Sequence, residues 1–245
     1  VGFSGLLQSF ADLFKLVLKI KAFFFQVRTY ISMVGLFVLV LICCFYCSFL
    51  VFFYQGLGGC CNLLWVLVVG SLSGYGLLSV GWGCFNKFSL LSCVRSCFGA
   101  VTFEACFMCV VIVLSLIYGD YSAFLLCSNS WCSFLVVPVL YIFWVVAVFC
   151  ECNRTPFDYA ESESELVSGL NVEYSGISFI CIFAYEYFVI FVFSWFTSLL
   201  FFGGFLILFL VGVHSLFFVW CRATVPRARY DVFVDFFWEY ILLVL

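Results

Sequence analysis

Charge is what this chain has least of. Only 9% of its 245 residues are Asp, Glu, Lys or Arg, and residues 29–86 contain none. Hydrophobic residues make up 67%, far above the share in a soluble domain, so a water-exposed globule is excluded. No basic patch is present, which removes nucleic acid from the partners. Glycine-rich loops of the GxxxxGKT or GxGxxG kind are missing, which argues against nucleotide binding. Strict alternation of apolar and polar residues is also lacking, so an outer-membrane barrel is excluded. No internal repeat and no pair of broken helices in matching positions points to a secondary transporter. There is one histidine, His214. It lies in an apolar run, where a packed, hydrogen-bonded role fits better than a ligand's. The 16 cysteines do not fill the gap. Cys44/Cys47 and Cys106/Cys109 have CxxC spacing, but they sit in apolar runs without a second pair at zinc spacing. They read as small hydrophobes, and no metal site is expected.

Long apolar runs are present instead. A helix needs about 20 apolar residues to cross a bilayer, and it is the element that satisfies its own backbone there. The runs predict about seven spans, at 30–54, 63–82, 90–118, 132–150, 176–200, 205–221 and 232–245. Gly56, Gly58 and Gly59 separate the first two, and Gly203 and Gly204 the fifth and sixth. The opening segment differs. Leu6, Leu7, Phe10, Leu13, Phe14, Val17 and Leu18 recur at helical spacing, with Gln8, Asp12, Lys15 and Lys19 between them. That pattern is an amphipathic helix for the membrane interface or a partner surface. The expected architecture is one all-α membrane domain over 1–245, a multi-pass transmembrane helix bundle. It comprises the amphipathic helix in 1–28, four spans in 30–150, an acidic loop at 151–175 and three spans in 176–245. Phe, Cys, Val, Leu, Trp and Gly share codons rich in T and G, which predicts an organelle-type gene. The gene's base composition checks this.

The few cations fix the orientation. Lys15, Lys19, Lys21, Arg28, Lys87, Arg95, Arg154, Arg222, Arg227 and Arg229 all fall on one side of the predicted bundle. The connections near 56–62, 119–131 and 203 have none. Such segregation marks the positive-inside face and supports the span count.

The anions are concentrated rather than segregated. Residues 151–173 read ECNRTPFDYAESESELVSGLNVE and hold six of the chain's 13 carboxylates. Glu161, Glu163 and Glu165 alternate. On a helix Glu161 and Glu165 would be neighbours, at a cost of about 0.2–0.5 kcal/mol. Crowded carboxylates titrate as a coupled set, the behaviour a proton relay needs. Arg154 and Asp158 are close enough in sequence to pair, and Thr155 before Pro156 opens the segment as a turn. A plain solvated loop is an equal reading of the composition. Glu104 and Glu186 lie inside predicted spans, where a charge costs a few kcal/mol and must face protein or water. A proton path or a structural hydrogen bond would each satisfy them. Arg222, Arg227 and Arg229 cluster around Pro226, either as orientation charges or as a hold on the acidic loop or on a polar head group.

The loop carries a resemblance. The run from Glu151 to Asp158, then Ala160 to Gly169, then Asn171 to Tyr174, is similar to E-x-N-R-T-P-F-D-x-x-E-G-E-S-E-L-V-S-G-x-N-x-E-Y. That pattern belongs to subunit 1 of proton-pumping NADH:ubiquinone oxidoreductase, respiratory complex I, of the mitochondrial type. Other stretches agree in order: Gly5 to Gln8 with Asp12, Lys15 and Lys19; Gly81-Trp82; Asn86-Lys87; Arg95 and Glu104; Ala184 to Tyr187; and Arg222 to Asp231 with Trp238. Ser162 stands for the family's usual glycine, Ser9 for a proline, Ala228 for an aromatic and Glu239 for a lysine. The family's first transmembrane helix has no counterpart here. A separate chain supplying that helix, a truncated chain and a divergent one are the readings this leaves.

The resemblance implies a non-redox membrane subunit of NADH:ubiquinone reductase (H+-translocating) in the mitochondrial inner membrane, with its charged loops on the matrix side. Ubiquinone would be the substrate, and FMN and iron–sulfur clusters would belong to partner subunits. Peripheral quinone-module subunits, small membrane subunits and lipids would surround it. Arg154, Phe157, Asp158 and Arg222 would line the quinone chamber. Glu104, Glu161, Glu163, Glu165 and Glu186 would form the proton path. Arg95, Glu173, Arg227 and Arg229 would stabilise the loop. The equivalent subunit of a membrane-bound hydrogenase, a secondary ion transporter and a structural anchor remain as alternatives. An anchor would not need Glu104 or Glu186 within spans.

Overall fold

The apolar runs fold as helices in a computed structural model that describes residues 2, 5, 7–19, 29–56, 59–123, 133–160, 166, 169–204 and 206–244. Helix α1 (Gln8–Leu18) is the amphipathic segment, and its apolar side chains, Phe10 and Phe14 among them, lie exposed. An interfacial helix presents such a face to the bilayer. Among the described residues, five helices are long and apolar enough to cross a membrane: α2 (Thr29–Tyr54), α3 (Asn62–Gly83), α4 (Lys87–Tyr118), α7 (Ile177–Phe202) and α8 (Ile207–Thr224). Together they make an all-α membrane helix bundle. Asn86 caps α4 by accepting from the Phe88 N–H at 3.1 Å, and Gly119, at φ 78°, closes it in the left-handed region.

Two predicted spans differ in form. The fourth is interrupted. Its described part is α5 (Ser133–Val136) and α6 (Pro138–Glu151). Val137 is extended (φ −135°, ψ 74°) because Pro138 has no N–H and crowds the preceding residue out of the helical region. The 14 residues of α6 extend about 21 Å, short of the ~30 Å hydrocarbon core. The last span is α9 (Tyr230–Phe236), a π turn (Phe237–Ile241) and α10 (Leu242–Val244). Phe233, Phe237 and Ile241 form its buried stripe, and Phe233 faces Gly99 of α4.

In lipid, apolar surface does not drive helices together, so close backbone approach and packing must do so. Helices α2 and α3 show this. A Cβ on Gly35 would come within 2.8 Å of the Val80 nitrogen, and one on Gly83 within 2.8 Å of the Ser32 nitrogen. Large side chains fill the centre. Phe107 of α4 stacks on Phe193 of α7 at 5.4 Å between ring centroids, and Trp144 of α6 meets Phe107 edge-on at 4.9 Å. Cysteine thiols fit between helices as small groups that bond carbonyls, as Cys97 Sγ does with Gly74 O at 3.0 Å. His214 has its expected kind of neighbours. Its Nδ1 lies 2.7 Å from the Leu210 carbonyl and its Nε2 3.1 Å from the Tyr141 hydroxyl. A carbonyl only accepts, so Nδ1 carries the proton and Nε2 accepts from Tyr141.

Candidate functional site

The loop opens at the end of α6. Glu151 is the last residue of that helix and is buried. Asn153 turns the chain at φ 47° and sends Arg154 inward, where it is 3% exposed. Arg154 pairs with Glu186 of α7, also 3% exposed. Its guanidinium lies 5.5 Å from the centre of the Phe183 ring and 5.0 Å from that of Tyr187. Phe183, Glu186 and Tyr187 share one face because they stand at i, i+3 and i+4 of a helix. That face gives the cation a carboxylate between two aromatic partners. By its place in the sequence Arg154 could pair with Asp158. It pairs with Glu186, and Asp158 instead lies 3.6 Å from Arg227.

The basic stretch between α8 and α9 buckles onto this turn. The Thr155 hydroxyl donates to the Arg222 carbonyl at 3.0 Å, and the Ala228 N–H donates to the Pro156 carbonyl at 2.9 Å. The Thr155–Pro156 peptide is cis. Phe157 packs on Phe233 at 5.2 Å, and Tyr159 on Tyr230 at 5.3 Å, while Arg95 lies 5.8 Å over the Tyr230 ring. Arg222 also donates from Nη1 to the Tyr187 hydroxyl at 3.3 Å. Arg229 pairs with Asp231 at 3.0 Å on the surface, and Glu173 is exposed. At the far end of the loop the Tyr174 hydroxyl donates to the Val80 carbonyl at 2.8 Å. Burial pushes that phenol well above its usual range, which keeps it a neutral donor. Glu161, Glu163 and Glu165 lie outside the described residues.

Two hollow regions flank the ion pair along α7. Towards its N-terminus a pocket of about 580 Å³ opens between α1, α2 and α7. Leu36, Phe37 and Val40 make its apolar wall, and Lys19, Ser175 and Ser178 give it a polar edge. It sits where α1 meets α7. A Cβ on Gly176 (φ 66°) would stand 3.0 Å from the Lys19 carbonyl. Towards the other end of α7, Glu104 and Glu151 line a cavity of about 20 Å³ with Phe193 and Trp144, which is the room one water needs. Ser73 donates to Glu151 at 3.2 Å. Glu104, half-buried, also borders a pocket of about 200 Å³ between α3 and α4 with Ser71, Tyr75 and Cys97.

Several members of the site were not singled out from the sequence. Glu151 was read only as part of the acidic run, although it opens the family pattern. Phe183 and Tyr187 follow from Glu186 by helical spacing alone, once that carboxylate is assigned a cationic partner. Ser73 had no signal.

Long apolar helices around an internal ion pair, with one charged loop buckled across the end, define a polytopic membrane protein built around a buried polar seam. The chain belongs to the NADH dehydrogenase family, whose family model matches residues 1–245, as subunit 1 of respiratory complex I. The NADH-ubiquinone oxidoreductase chain 1 of Aedes aegypti is 33% identical over 98% of this chain and 78% of its own length. That of Artemia franciscana is 33% identical over 99% and 82%, and that of Mycosarcoma maydis 32% over 100% and 81%. The chain is thus a membrane subunit of complex I.

Proposed function

We propose that this subunit forms part of the ubiquinone chamber and couples quinone reduction to proton translocation. One observation carries the reading. Helix α7 lays out, in order along its axis, the amphiphilic pocket (Ile177 to Cys181), the Arg154–Glu186 pair, and the cavity holding Glu104 and Glu151 (Phe193 to Leu200). The pocket suits a molecule with a long apolar tail and a polar head. Arg154 and Arg222, with Phe157 and Asp158, form the chamber's polar part. The pair next to it is almost dry, so a charge change nearby acts on it through a low dielectric. Glu186, then Glu151 and Glu104, receive that change, and the loop carboxylates Glu161, Glu163 and Glu165 feed it. A water in the small cavity would bridge Glu151 and Glu104, with the Trp144 N–H, which is buried without a hydrogen-bond partner among the described residues, as a further donor.

Electrons stay outside this chain. FMN and iron–sulfur clusters belong to companion subunits, and ubiquinone is the substrate. The quinone-module subunits cover the loop face on the matrix side of the mitochondrial inner membrane. Small membrane subunits and lipid cover the exposed apolar faces of helices such as α8. A purely structural anchor is disfavoured because a buried ion pair is seldom more stabilising than apolar residues of the same volume.

Glu186→Gln tests the reading in the assembled complex. Quinone-linked NADH oxidation is expected to fall roughly a hundredfold or more, the range for loss of a proton-transferring group. NADH oxidation by a hydrophilic artificial acceptor should be unchanged. Unaltered quinone-linked turnover sinks the proposal.

A further inference from the structure

The serines of α3 are not all used alike. Ser71 and Ser79 return their hydroxyls to carbonyls of their own helix, at Val68 and Gly76, over 2.9 and 2.8 Å. Such back-bonding is the ordinary use of a serine inside a helix. Ser73 lies between them and turns away. Its hydroxyl crosses to α6 and donates to Glu151 Oε1 at 3.2 Å, with both side chains buried. A hydroxyl that donates its one hydrogen keeps its lone pairs, and the Tyr185 hydroxyl of α7 faces the same serine. Tyr185 precedes Glu186 in the chain. The row Tyr185, Ser73, Glu151 therefore runs from beside the ion pair to the small cavity.

The groups facing Glu151 come from every side. They are Glu104 of α4, Tyr46 of α2, Tyr185 of α7 and the adjoining Cys150 and Cys152. Burial and a second carboxylate both disfavour a charge at this place, whereas a donated hydrogen bond favours it.

We propose that Ser73 is a positioning residue for Glu151. Its hydroxyl fixes the carboxylate against α3 and favours the ionised form, the one able to accept a proton. This rests on the coupling reading above. Alanine at this position keeps the helix and removes the donor alone.

The experiment uses the assembled complex in inner membranes, with the proton gradient collapsed so that both faces share one pH. Quinone-linked NADH oxidation is followed as a function of pH and normalised to NADH oxidation by an artificial acceptor. Turnover that needs Glu151 as a proton acceptor falls as pH drops through its titration. Ser73→Ala is expected to move that acid limb to higher pH by about one pH unit, which is what a hydrogen bond to a charged group is worth. Ser73→Thr keeps a hydroxyl and should leave the limb in place. An alanine profile that coincides with the original, a fall in rate without a shift, or a threonine variant shifted as far as alanine overturns the inference. Any of these leaves the coupling reading standing if Glu151→Gln loses quinone-linked turnover. A Glu151→Gln complex with ordinary turnover overturns both.

Discussion

Helices α7 and α8 are neighbours in the chain, and both are apolar enough to span a membrane, yet they are used differently. In α7, 44% of the most apolar window is buried inside the molecule, against 17% in α8. Midway along each, one ionisable residue stands among apolar ones. Glu186 of α7 meets a guanidinium, whereas His214 of α8 meets a carbonyl and a phenol. The first arrangement holds opposite charges in a dry place and responds to any charge added nearby. The second is complete with a neutral ring and has nothing to respond with. On the proposed coupling, what separates the two residues is less their own type than the charge of the partner each one meets.

The sharpest way to break that comparison is Arg154→Leu. It takes the guanidinium away from the buried Glu186 carboxylate, at a cost of about 3–5 kcal/mol, and native electrophoresis should show little assembled complex. Replacing Glu186 by Leu as well should restore assembly but not quinone-linked turnover. Recovery of both would make the pair a structural device like His214. Glu163→Gln comes next, with quinone-linked turnover falling about tenfold. That is less than the loss of an isolated proton-transfer group, because Glu161 and Glu165 belong to the same coupled set. Oxidation by artificial acceptors should be unaffected, and a normal quinone-linked rate would remove the loop from the path. Gly176→Ala places a side chain at positive φ and against the Lys19 carbonyl, costing about 1–2 kcal/mol. It should raise quinone KM severalfold by moving α1 off α7, which kinetics with a long-tailed quinone would read. The smallest effect is expected for Tyr141→Phe. Loss of one neutral hydrogen bond should lower stability by about 0.5–1.5 kcal/mol, seen as a lower melting temperature, with turnover per assembled complex unchanged. A fall in turnover would erase the distinction between the two helices.

Much of the frame was legible because it rests on local signals. Apolar length marks the helices, and residues 151–174 carry a long family pattern. Partnerships between helices were not legible. Arg154 lies four residues from Asp158, and that closeness suggested a pair, but its carboxylate partner is Glu186, brought close by packing. Glu151 was counted with its loop, although Ser73, its hydroxyl donor, is 78 residues away. In a soluble protein, periodicity would show which face of each helix turns inward. Here lipid-facing and protein-facing side chains are equally apolar, so the pattern carries no such record. The interruption at Val137 was foreshadowed by Pro138, but a span was read across it because the hydropathy is continuous.

The buckle between the loop and the stretch after α8 also orders events in time. Pro156 is held by Ala228, Asp158 by Arg227 and Phe157 by Phe233. Each holding residue is made about seventy positions after the one it holds. While the chain is being synthesised and threaded into the bilayer, the turn around Arg154 has none of these three restraints until Arg227, Ala228 and Phe233 have emerged. The turn therefore closes only after α7 and α8 have been made, and a chain interrupted before residues 227–233 cannot form it.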